Sequence, residues 1–259
     1  MSEPFENRTR RDYLRVVKTI LTFLVLLSFA VASAEETLYF ESATEAETTR
    51  IVLYLSEGEV SGYQTWEVPD AHGTQGSLEG TLEEGGLMRL VHRYTIEGAD
   101  QAEEVIYKLD DGSLWIGEGE LVEDRDGLLR LKDPAKVKFV KKLAAVEVSE
   151  PAAGSPERKE IMDSMRGPIS AYIGSKVQFT GEVRIFEGWG TFSGNVATLD
   201  GAAPADEDAA FSLELDFLAL VKQDPDGRWQ MLDWGFSGDI SVREEFREKY
   251  PSLPWVLLP

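Results

Sequence analysis

Between residues 35 and 148, apolar residues alternate with polar ones in many short runs. This alternation is typical of strands with one buried and one solvated face. The runs predicted as strands are residues 38–40, 51–55, 60–68, 78–82, 87–96, 105–109, 114–116, 128–131 and 137–140. Turn residues separate them, for example Asp110-Asp111-Gly112 and Asp126-Gly127. Short strands at regular spacing predict an antiparallel meander that closes as a small barrel or a curved sandwich.

The pattern changes after a proline-rich and small-residue stretch, 149–157, which predicts a linker. Beyond it, apolar residues recur at helical spacing behind Ser155-Pro156, a typical helix start. The residues of this apolar stripe are Ile161, Met162, Met165, Ile169, Tyr172 and Ile173. Four strands are predicted at 177–186, 189–197, 211–222 and 228–236, followed by a short helix at 242–250 and an apolar tail. One helix on a four-stranded antiparallel sheet is an α+β roll.

The predicted fold class is therefore α+β overall. It combines an N-terminal antiparallel β-barrel-like or meander domain at 35–148 with a C-terminal α+β roll at 158–259. Trp189, Trp229 and Trp234 are expected to fill the layer between helix and sheet. The tail residues, among them Leu257 and Leu258, are expected to close one end of that core.

The first 34 residues have the pattern of a cleavable bacterial signal peptide: a basic start, an apolar stretch at 20–32 and the small residues Ala32-Ser33-Ala34 before two glutamates. An uncleaved membrane anchor is the alternative, although the apolar run is shorter than a spanning helix requires. Thr9-Arg10-Arg11 resembles the start of the twin-arginine export motif, so the general secretory and twin-arginine routes both stay open. The sequence thus predicts a periplasmic or secreted protein, with no stable membrane insertion after cleavage.

Charge and composition exclude several classes of function. The chain has a net charge of −21 and no cysteine. A strongly negative surface repels nucleic acid, and the absence of cysteine excludes disulfides, thiol nucleophiles and a lipid-anchored N-terminus. Only two histidines are present: His72 in a predicted turn and His92 within a predicted strand, where a structural role is expected. No catalytic residue set and no cofactor are predicted.

Metal sites are not predicted either, because nitrogen and sulfur ligands are scarce. A calcium site and a solvated loop are the two alternatives for two acidic runs, since calcium prefers several carboxylates. These runs are Glu118-Gly119-Glu120 with Glu123-Asp124-Arg125-Asp126, and Asp206-Glu207-Asp208. Neither run has the spacing of a calcium-binding loop, so the solvated loop is preferred.

Several short motifs resemble uncharacterised bacterial secreted or envelope proteins. In the first domain these are Gly76-Ser77-Leu78-Glu79-Gly80, Tyr94-Thr95-Ile96-Glu97-Gly98, Gly117-Glu118-Gly119-Glu120 and Lys132-Asp133-Pro134, a pattern similar to small β-domains of envelope lipoproteins. In the second they are Arg166, Trp189, Asp200-Gly201, Leu220, Trp229 and Gly238-Asp239, similar to a C-terminal domain of unknown function in exported proteins. The resemblance implies location in the cell envelope and no particular activity.

Binding is the function that these observations favour. A small barrel can take a ligand at its open end, where aromatic and basic residues such as Arg93 and Tyr94, with Trp66 and Trp115, are expected. The candidate ligand-binding residues are Arg93, Tyr94, Glu97 and Glu118 in the first domain and Arg166, Trp189 and Asp239 in the second. The prediction is an exported, non-catalytic protein that binds a small ligand or an envelope partner. The alternative is a carboxylate-dependent periplasmic hydrolase or isomerase that pairs Glu97 with Glu118 or Glu120.

Overall fold

The computed structural model describes residues 36–69, 71, 73–96, 98–199, 201, 204, 207–236 and 241–258. The predicted signal peptide at 1–34 lies outside these residues. The chain divides into two compact units, with the boundary between Ala144 and Ala145. The described residues form fourteen strands and three α-helices. The protein is therefore richer in β-structure than the predicted α+β class.

The first unit contains ten strands. They are β1 (Glu36–Ala43), β2 (Thr48–Ser56), β3 (Glu59–Glu67), β4 (Thr74–Leu82), β5 (Leu87–Ile96), β6 (Ala99–Asp110), β7 (Ser113–Glu118), β8 (Leu121–Glu123), β9 (Leu129–Leu131) and β10 (Lys138–Ala145). Strands β1 to β6 each pair with the next in sequence, β7 pairs with β10, and β10 lies beside β1. These eight strands close an antiparallel barrel, which decides between the barrel and the sandwich that the sequence left open.

The short hairpin of β8 and β9 is inserted between β7 and β10. It lies against β6, where the Glu104 carboxylate accepts a hydrogen bond of 2.9 Å from the backbone N–H of Leu131. The Glu104 side chain therefore points to the outside of the barrel. Glu103, its neighbour on β6, points to the barrel interior, because successive side chains of a strand point to opposite faces.

Apolar side chains fill most of the barrel interior. Each strand contributes alternate residues, as Met88 and Leu90 do on β5. The buried cluster comprises Phe40, Ile51, Leu53, Val60, Leu78, Met88, Leu90, Tyr107, Leu114 and Leu143. Burial of this much apolar surface is the main stabilising contribution to a unit that has no disulfide.

The second unit is built on a four-stranded antiparallel sheet in the order β11, β12, β13, β14. Its elements are α1 (Pro156–Ile173), β11 (Val177–Phe186), β12 (Trp189–Thr198), α2 (Glu207–Ser212), β13 (Phe217–Gln223), β14 (Trp229–Phe236) and α3 (Ser241–Lys249). Ser155 caps the start of α1 with its side chain, and Gly174 ends the helix in the left-handed conformation with φ 75°. The helix and its start were correctly predicted from these signals.

Two layers cover the sheet, one on each face. The apolar stripe of α1 packs against one face, together with Phe192, Phe217 and Trp229. Trp189 lies three positions before Phe192 on β12, so its side chain points to the opposite face of the sheet. There its ring lies 6.3 Å from that of Tyr250, just after α3, and 3.9 Å from Lys222 Nζ. The expectation that all three tryptophans fill the layer under α1 is wrong for Trp189.

The C-terminal tail also covers this second face. Leu257 and Leu258 are buried, and the Thr191 hydroxyl on β12 faces the Leu257 carbonyl oxygen at 3.4 Å. The guanidinium of Arg247 on α3 donates to the Leu258 carbonyl oxygen. The tail thus forms part of a layer on the sheet, whereas the sequence predicted a plug at one end of the core.

Two further predictions differ from the structure. The strand predicted at 211–222 starts at Phe217, because α2 occupies Glu207–Ser212. Its acidic first turn and two consecutive alanines favour a helix there. The stretch predicted as a linker contains Ser149, whose backbone exchanges hydrogen bonds of 2.9 and 2.8 Å with Ile185 on β11. Backbone pairing therefore holds this stretch against the sheet of the second unit.

Within the part of the chain that the structure describes, none of the helices has both the length and the apolar character needed to cross a membrane.

Candidate functional site

The barrel has one polar end. The turns β1–β2, β3–β4 and β5–β6 lie there, and the inward-facing positions beyond the apolar cluster carry polar and aromatic side chains. We call this group the mouth. It consists of Glu47, Thr49, Gln64, Trp66, His92, Tyr94, Gln101, Glu103, Glu118 and Lys141. Most of these side chains are half-buried or exposed, although the strand alternation directs them inward, so solvent reaches the barrel from this end.

His92 lies at the floor of the mouth. It is 4% exposed and alternates with the buried Met88 and Leu90 on β5. Its ring stacks on that of Tyr94, with centroids 4.6 Å apart and planes inclined by 27°. Nδ1 lies 3.7 Å from Glu103 Oε1, and Nε2 has no hydrogen-bond partner among the described residues.

A glycine makes room for this imidazole. A Cβ at Gly76 on β4 would lie 2.5 Å from His92 Nε2 and 2.4 Å from the Arg93 carbonyl oxygen. Real Cβ atoms do not approach other heavy atoms so closely, so strand β4 can pass under the histidine only because residue 76 has no side chain. Glycine at this position fixes where the histidine ring lies.

A hydrogen bond links the mouth to the apolar core. Tyr107 lies on β6 and belongs to the apolar cluster. Its hydroxyl donates a hydrogen bond of 2.6 Å to Gln64 Oε1 on β3. Tyr107 is 1% exposed, whereas Gln64 is half-buried. The bond satisfies a polar atom that would otherwise be buried without a partner.

An ion pair between Lys141 and Glu47 lies at another side of the mouth. The Lys141 ammonium on β10 donates to Glu47 and, at 2.6 Å, to the Thr49 hydroxyl, and Trp66 Nε1 donates to Glu47 Oε2 at 2.7 Å. The pKa of Glu47 is lowered by the hydrogen bond from Lys141 and then by that from Trp66. The negative charge of Glu47 is therefore balanced within the mouth.

Glu103 is the carboxylate whose charge acts on the rest of the mouth. The pKa of Tyr94 is raised by burial and then by the negative charge of Glu103. The same two causes, in the same order, raise the pKa of Tyr107. Among the described residues, Glu103 has no lysine or arginine within ion-pair distance. A carboxylate with no lysine or arginine partner among the described residues thus lies beside the half-buried ring of Tyr94 and the buried ring of His92.

The structure separates the site residues that the sequence predicted in the first unit. Tyr94 faces into the mouth, but Arg93 next to it points to the outside of the barrel and is exposed. Glu118 ends β7 at the rim of the mouth, where it is exposed and opposite Lys138 in the strand register. Glu97 lies outside the described residues, so the carboxylate pairing considered for a hydrolase has only one described member.

The candidate residues of the second unit do not form one site. Arg166 lies on the exposed surface of α1, where it pairs with Asp163 on the same helix. Trp189 is buried on the opposite face of the sheet, so the sheet separates the two side chains. Asp239 lies outside the described residues.

Sequence reasoning missed most of the mouth. The sequence predicts a structural role for His92 and does not distinguish Gln64 and Glu103 from other polar strand residues. A signal was nevertheless present, because His92 and Tyr94 continue the buried series of Met88 and Leu90 at a spacing of two. Polar residues in an inward-facing series mark either a buried network or a binding end.

The acidic runs considered for calcium make other contacts. Asp124 Oδ1 accepts two backbone N–H bonds within its own turn, and its other oxygen accepts from Arg130 at 2.6 Å. Glu120 pairs with Lys132. Asp206 lies outside the described residues. Throughout the described ranges, no three histidine, cysteine or acidic side chains are grouped as metal ligands would be.

Comparison with known protein families, with curated proteins and with solved structures finds no match to this chain. The resemblance to envelope proteins therefore stays a prediction, and function has to be inferred from the site itself.

Proposed function

We propose that the protein is a non-catalytic binding protein of the bacterial cell envelope, and that its barrel mouth takes a small organic cation with an aromatic or apolar body. The observation that carries the proposal is the position of Glu103, an inward-facing carboxylate beside the stacked rings of His92 and Tyr94. A carboxylate supplies the charge complement of an ammonium group, and aromatic faces supply a surface for the rest of such a ligand.

Charge favours a cation over an anion. Glu47 is balanced by Lys141, so Glu103 contributes the negative charge that is left at the floor of the mouth. The whole chain carries −21, and a field of this sign raises the local concentration of cations and repels anions. An anionic ligand would meet an unfavourable potential both on approach and in the mouth.

Aromatic rings favour a ligand with an apolar or aromatic body. The ring of Tyr94 is half-buried, with one side against His92. The indole of Trp66 is held at the same end of the barrel by its hydrogen bond to Glu47. Rings that are fixed by neighbours lose little conformational entropy when a ligand stacks on them, which favours binding.

The direct test is calorimetric titration of residues 35–259 with three ligands that share a benzyl or phenyl group and differ in charge: benzylamine, benzyl alcohol and benzoate. At pH 7 we expect the protonated amine to bind and the alcohol and the acid to bind at least about tenfold more weakly, because they lack the charge that Glu103 complements. Equal binding of the three, or preference for benzoate, contradicts the proposal.

The matched variants are Glu103→Gln and Glu79→Gln. Glu103→Gln removes the charge in the mouth and is expected to weaken benzylamine binding about tenfold or more. Glu79 is exposed on the outer face of β4, so Glu79→Gln removes the same charge from the molecule and is expected to leave binding unchanged. Far-ultraviolet circular dichroism shows whether each variant keeps its β-structure, and the Glu47–Lys141 contacts are not touched by either substitution.

Location is a separate part of the proposal and rests on the pattern of residues 1–34. Deletion of these residues is expected to retain the protein in the cytoplasm. Replacement of Arg10-Arg11 by two lysines is expected to block export if the twin-arginine route is used and to leave it intact if the general secretory route is used. Fractionation of cells that produce each variant distinguishes the outcomes, and export of the deletion variant contradicts the prediction.

A further inference from the structure

The outer wall of the barrel carries a group of apolar side chains with lysines around them. We call this group the outer patch, and none of its residues belongs to the mouth. It consists of Trp115, Lys136, Val137, Lys138, Phe139, Val140 and Lys142. The sequence predicts Trp115 at the open end of the barrel. That prediction is wrong, because Trp115 lies between the inward-facing Leu114 and Ile116 on β7 and therefore points outward.

A β-bulge exposes two neighbouring apolar residues of β10. Phe139 lies opposite Gly117 on β7, and Lys141 lies opposite Ile116, so Val140 between them is the extra residue of the bulge. Regular alternation would turn one of two successive side chains into the barrel. At the bulge both stay outside, and Phe139 is 36% and Val140 52% exposed.

A glycine on β7 lets the apolar side chains lie against the wall. A Cβ at Gly117 would lie 2.4 Å from Val137 Cγ1 and 3.4 Å from Phe139 Cε1. Both side chains therefore cover the place that a side chain at position 117 would take. Single exposed apolar residues are common on protein surfaces, but a contiguous group of them is typical of an interaction surface.

Lysines give this surface a positive charge. Residues 132–142 contain five lysines and one aspartate, in a chain whose net charge is −21. Lys138 and Lys142 are exposed, and neither forms an ion pair within the part of the chain that the structure describes. Lys142 Nζ lies 5.6 Å from the centre of the Trp115 ring. Lys136 pairs with Asp133, but both side chains are exposed, so solvent screens this pair.

We propose that the outer patch docks the protein on an anionic lipid bilayer. Phe139 and Val140 enter the interfacial layer, and the lysines contact the phosphate groups of the lipids. Apolar side chains beside lysines are the combination that holds proteins at such an interface. Lysine stems lie along apolar surface while their charged ends reach the head groups, and an indole such as that of Trp115 favours the same layer.

The apolar residues favour a bilayer over a soluble polyanion. A soluble polyanion complements the lysines and leaves Phe139 and Val140 in water, whereas a bilayer covers both kinds of side chain. The acidic residues elsewhere in the chain oppose contact only weakly, because charges at physiological ionic strength are screened over about 8 Å. The patch inserts no helix or strand, so the binding is peripheral and reversible.

The test is co-sedimentation of residues 35–259 with vesicles. This segment omits the apolar stretch 20–32, which would itself bind lipid. We expect binding to vesicles of phosphatidylglycerol and phosphatidylcholine in equal parts, and at least about tenfold weaker binding to phosphatidylcholine alone. Raising the salt concentration from about 0.1 M to about 1 M is expected to weaken binding to the anionic vesicles, because the screening length falls to about 3 Å.

The lysine variant is Lys138→Gln with Lys142→Gln. It is expected to weaken binding to anionic vesicles about tenfold or more, since each lysine near an anionic surface contributes about fivefold. Lys159→Gln with Lys176→Gln is the matched control. Both of its lysines are exposed in the second unit, so it removes the same charge from the molecule and is expected to leave binding unchanged.

The apolar variant is Val140→Ser, and Leu232→Ser is its matched control. Leu232 is 41% exposed and is likewise the extra residue of a β-bulge, on β14 of the second unit. Val140→Ser is expected to weaken vesicle binding about threefold or more, because it removes apolar surface that the lipid covers, and Leu232→Ser to leave it unchanged. Far-ultraviolet circular dichroism shows that each variant keeps its β-structure.

Absence of binding to the anionic vesicles, or equal binding to both vesicle types, overturns the proposal. If the lysine variant loses binding while Val140→Ser and Leu232→Ser behave alike, the patch recognises charge alone, as for a soluble polyanion, and the bilayer assignment is wrong. A dimer of residues 35–259 that Val140→Ser dissociates, seen by sedimentation velocity, would show that a second copy covers the patch and would also overturn it. The result is independent of the mouth, so Glu103→Gln is expected to leave vesicle binding unchanged.

Discussion

The hydroxyl of Tyr107 on β6 donates a hydrogen bond of 2.6 Å to Gln64 Oε1 on β3, across the interior of the barrel. The two residues are far apart in sequence, and neither strand pairs with the other. The bond therefore joins opposite walls of the barrel at the level where the apolar core meets the mouth. The two ends of the bond differ in burial, since Tyr107 is 1% exposed and Gln64 is half-buried.

This difference predicts unequal effects of removing either partner. Gln64→Leu leaves a buried hydroxyl without an acceptor and is expected to lower the free energy of unfolding by about 1–3 kcal/mol. Tyr107→Phe leaves an amide that water can reach and is expected to cost about 1 kcal/mol. Urea unfolding followed by intrinsic fluorescence measures both. A larger loss for Tyr107→Phe than for Gln64→Leu contradicts the structure at this point.

Gly76 is predicted to tolerate no side chain. Gly76→Ala places a Cβ within 2.5 Å of His92 Nε2 and is expected to destabilise the first unit by about 1–3 kcal/mol, the usual cost of overpacking. Ser77→Ala on the exposed face of β4 is the control and is expected to change stability by less than about 0.5 kcal/mol. Thermal unfolding compares the two. Equal stability of both variants would show that the histidine ring does not rest on strand β4.

Glu47 is predicted to make stability depend on pH in the acid range. Its pKa is lowered in the folded state by the hydrogen bond from Lys141, so its ionised form stabilises the fold at pH values above its unfolded pKa of about 4.3. That contribution is lost as the pH falls through the lowered, folded-state value. Glu47→Gln is therefore expected to be less stable than the natural sequence at pH 7, and the difference is expected to shrink as the pH falls below about 4.

Urea unfolding of both proteins between pH 3 and 7 measures this difference, with Glu59→Gln as control because Glu59 is exposed at the other end of the barrel. A constant difference between Glu47→Gln and the natural sequence across this range would show that the ion pair does not stabilise the fold through ionisation of Glu47.

The start of α1 gives a test of local structure in the second unit. Ser155 Oγ accepts a hydrogen bond of 3.2 Å from the Arg158 backbone N–H, and Ser155→Ala is expected to cost about 1 kcal/mol. Ser164 lies inside the same helix, where its hydroxyl donates to the Ile161 carbonyl oxygen and adds little. Ser164→Ala is expected to change stability by less than about 0.5 kcal/mol. Similar losses in both variants, measured by urea unfolding, would contradict the assigned cap.

The sequence predicted the elements of the fold better than their arrangement. Alternation and Asp-Gly turns identified most strands of the barrel, and Ser155-Pro156 identified the start of α1, because these signals are local. Closure of the barrel by β10 beside β1 joins residues about a hundred positions apart, and alternation within one strand carries no information about that partner. The strand that contains Trp189 has two glycines and no regular alternation of apolar and polar residues. The sequence alone therefore does not show which face of the sheet Trp189 occupies.

The candidate site was predictable only in part, for a related reason. Tyr94 was expected at an open end of the barrel, and it does face into the mouth. Glu103 joins it through the pairing of β5 with β6, which places His92 opposite Glu103. Alternation shows that a residue faces inward, but the register between strands decides which inward-facing residues meet.

The measurement that tests the binding proposal most directly is a nuclear magnetic resonance titration of residues 35–259 with labelled histidine. The chain has two histidines, His72 and His92, and His92→Asn assigns their signals. Addition of benzylamine is predicted to shift the His92 ring signals in a saturable way, because His92 lies at the floor of the mouth against Tyr94 and Glu103. The shifts are predicted to disappear in Glu103→Gln. Unchanged His92 signals at saturating benzylamine, or equal shifts in Glu103→Gln, would contradict the account.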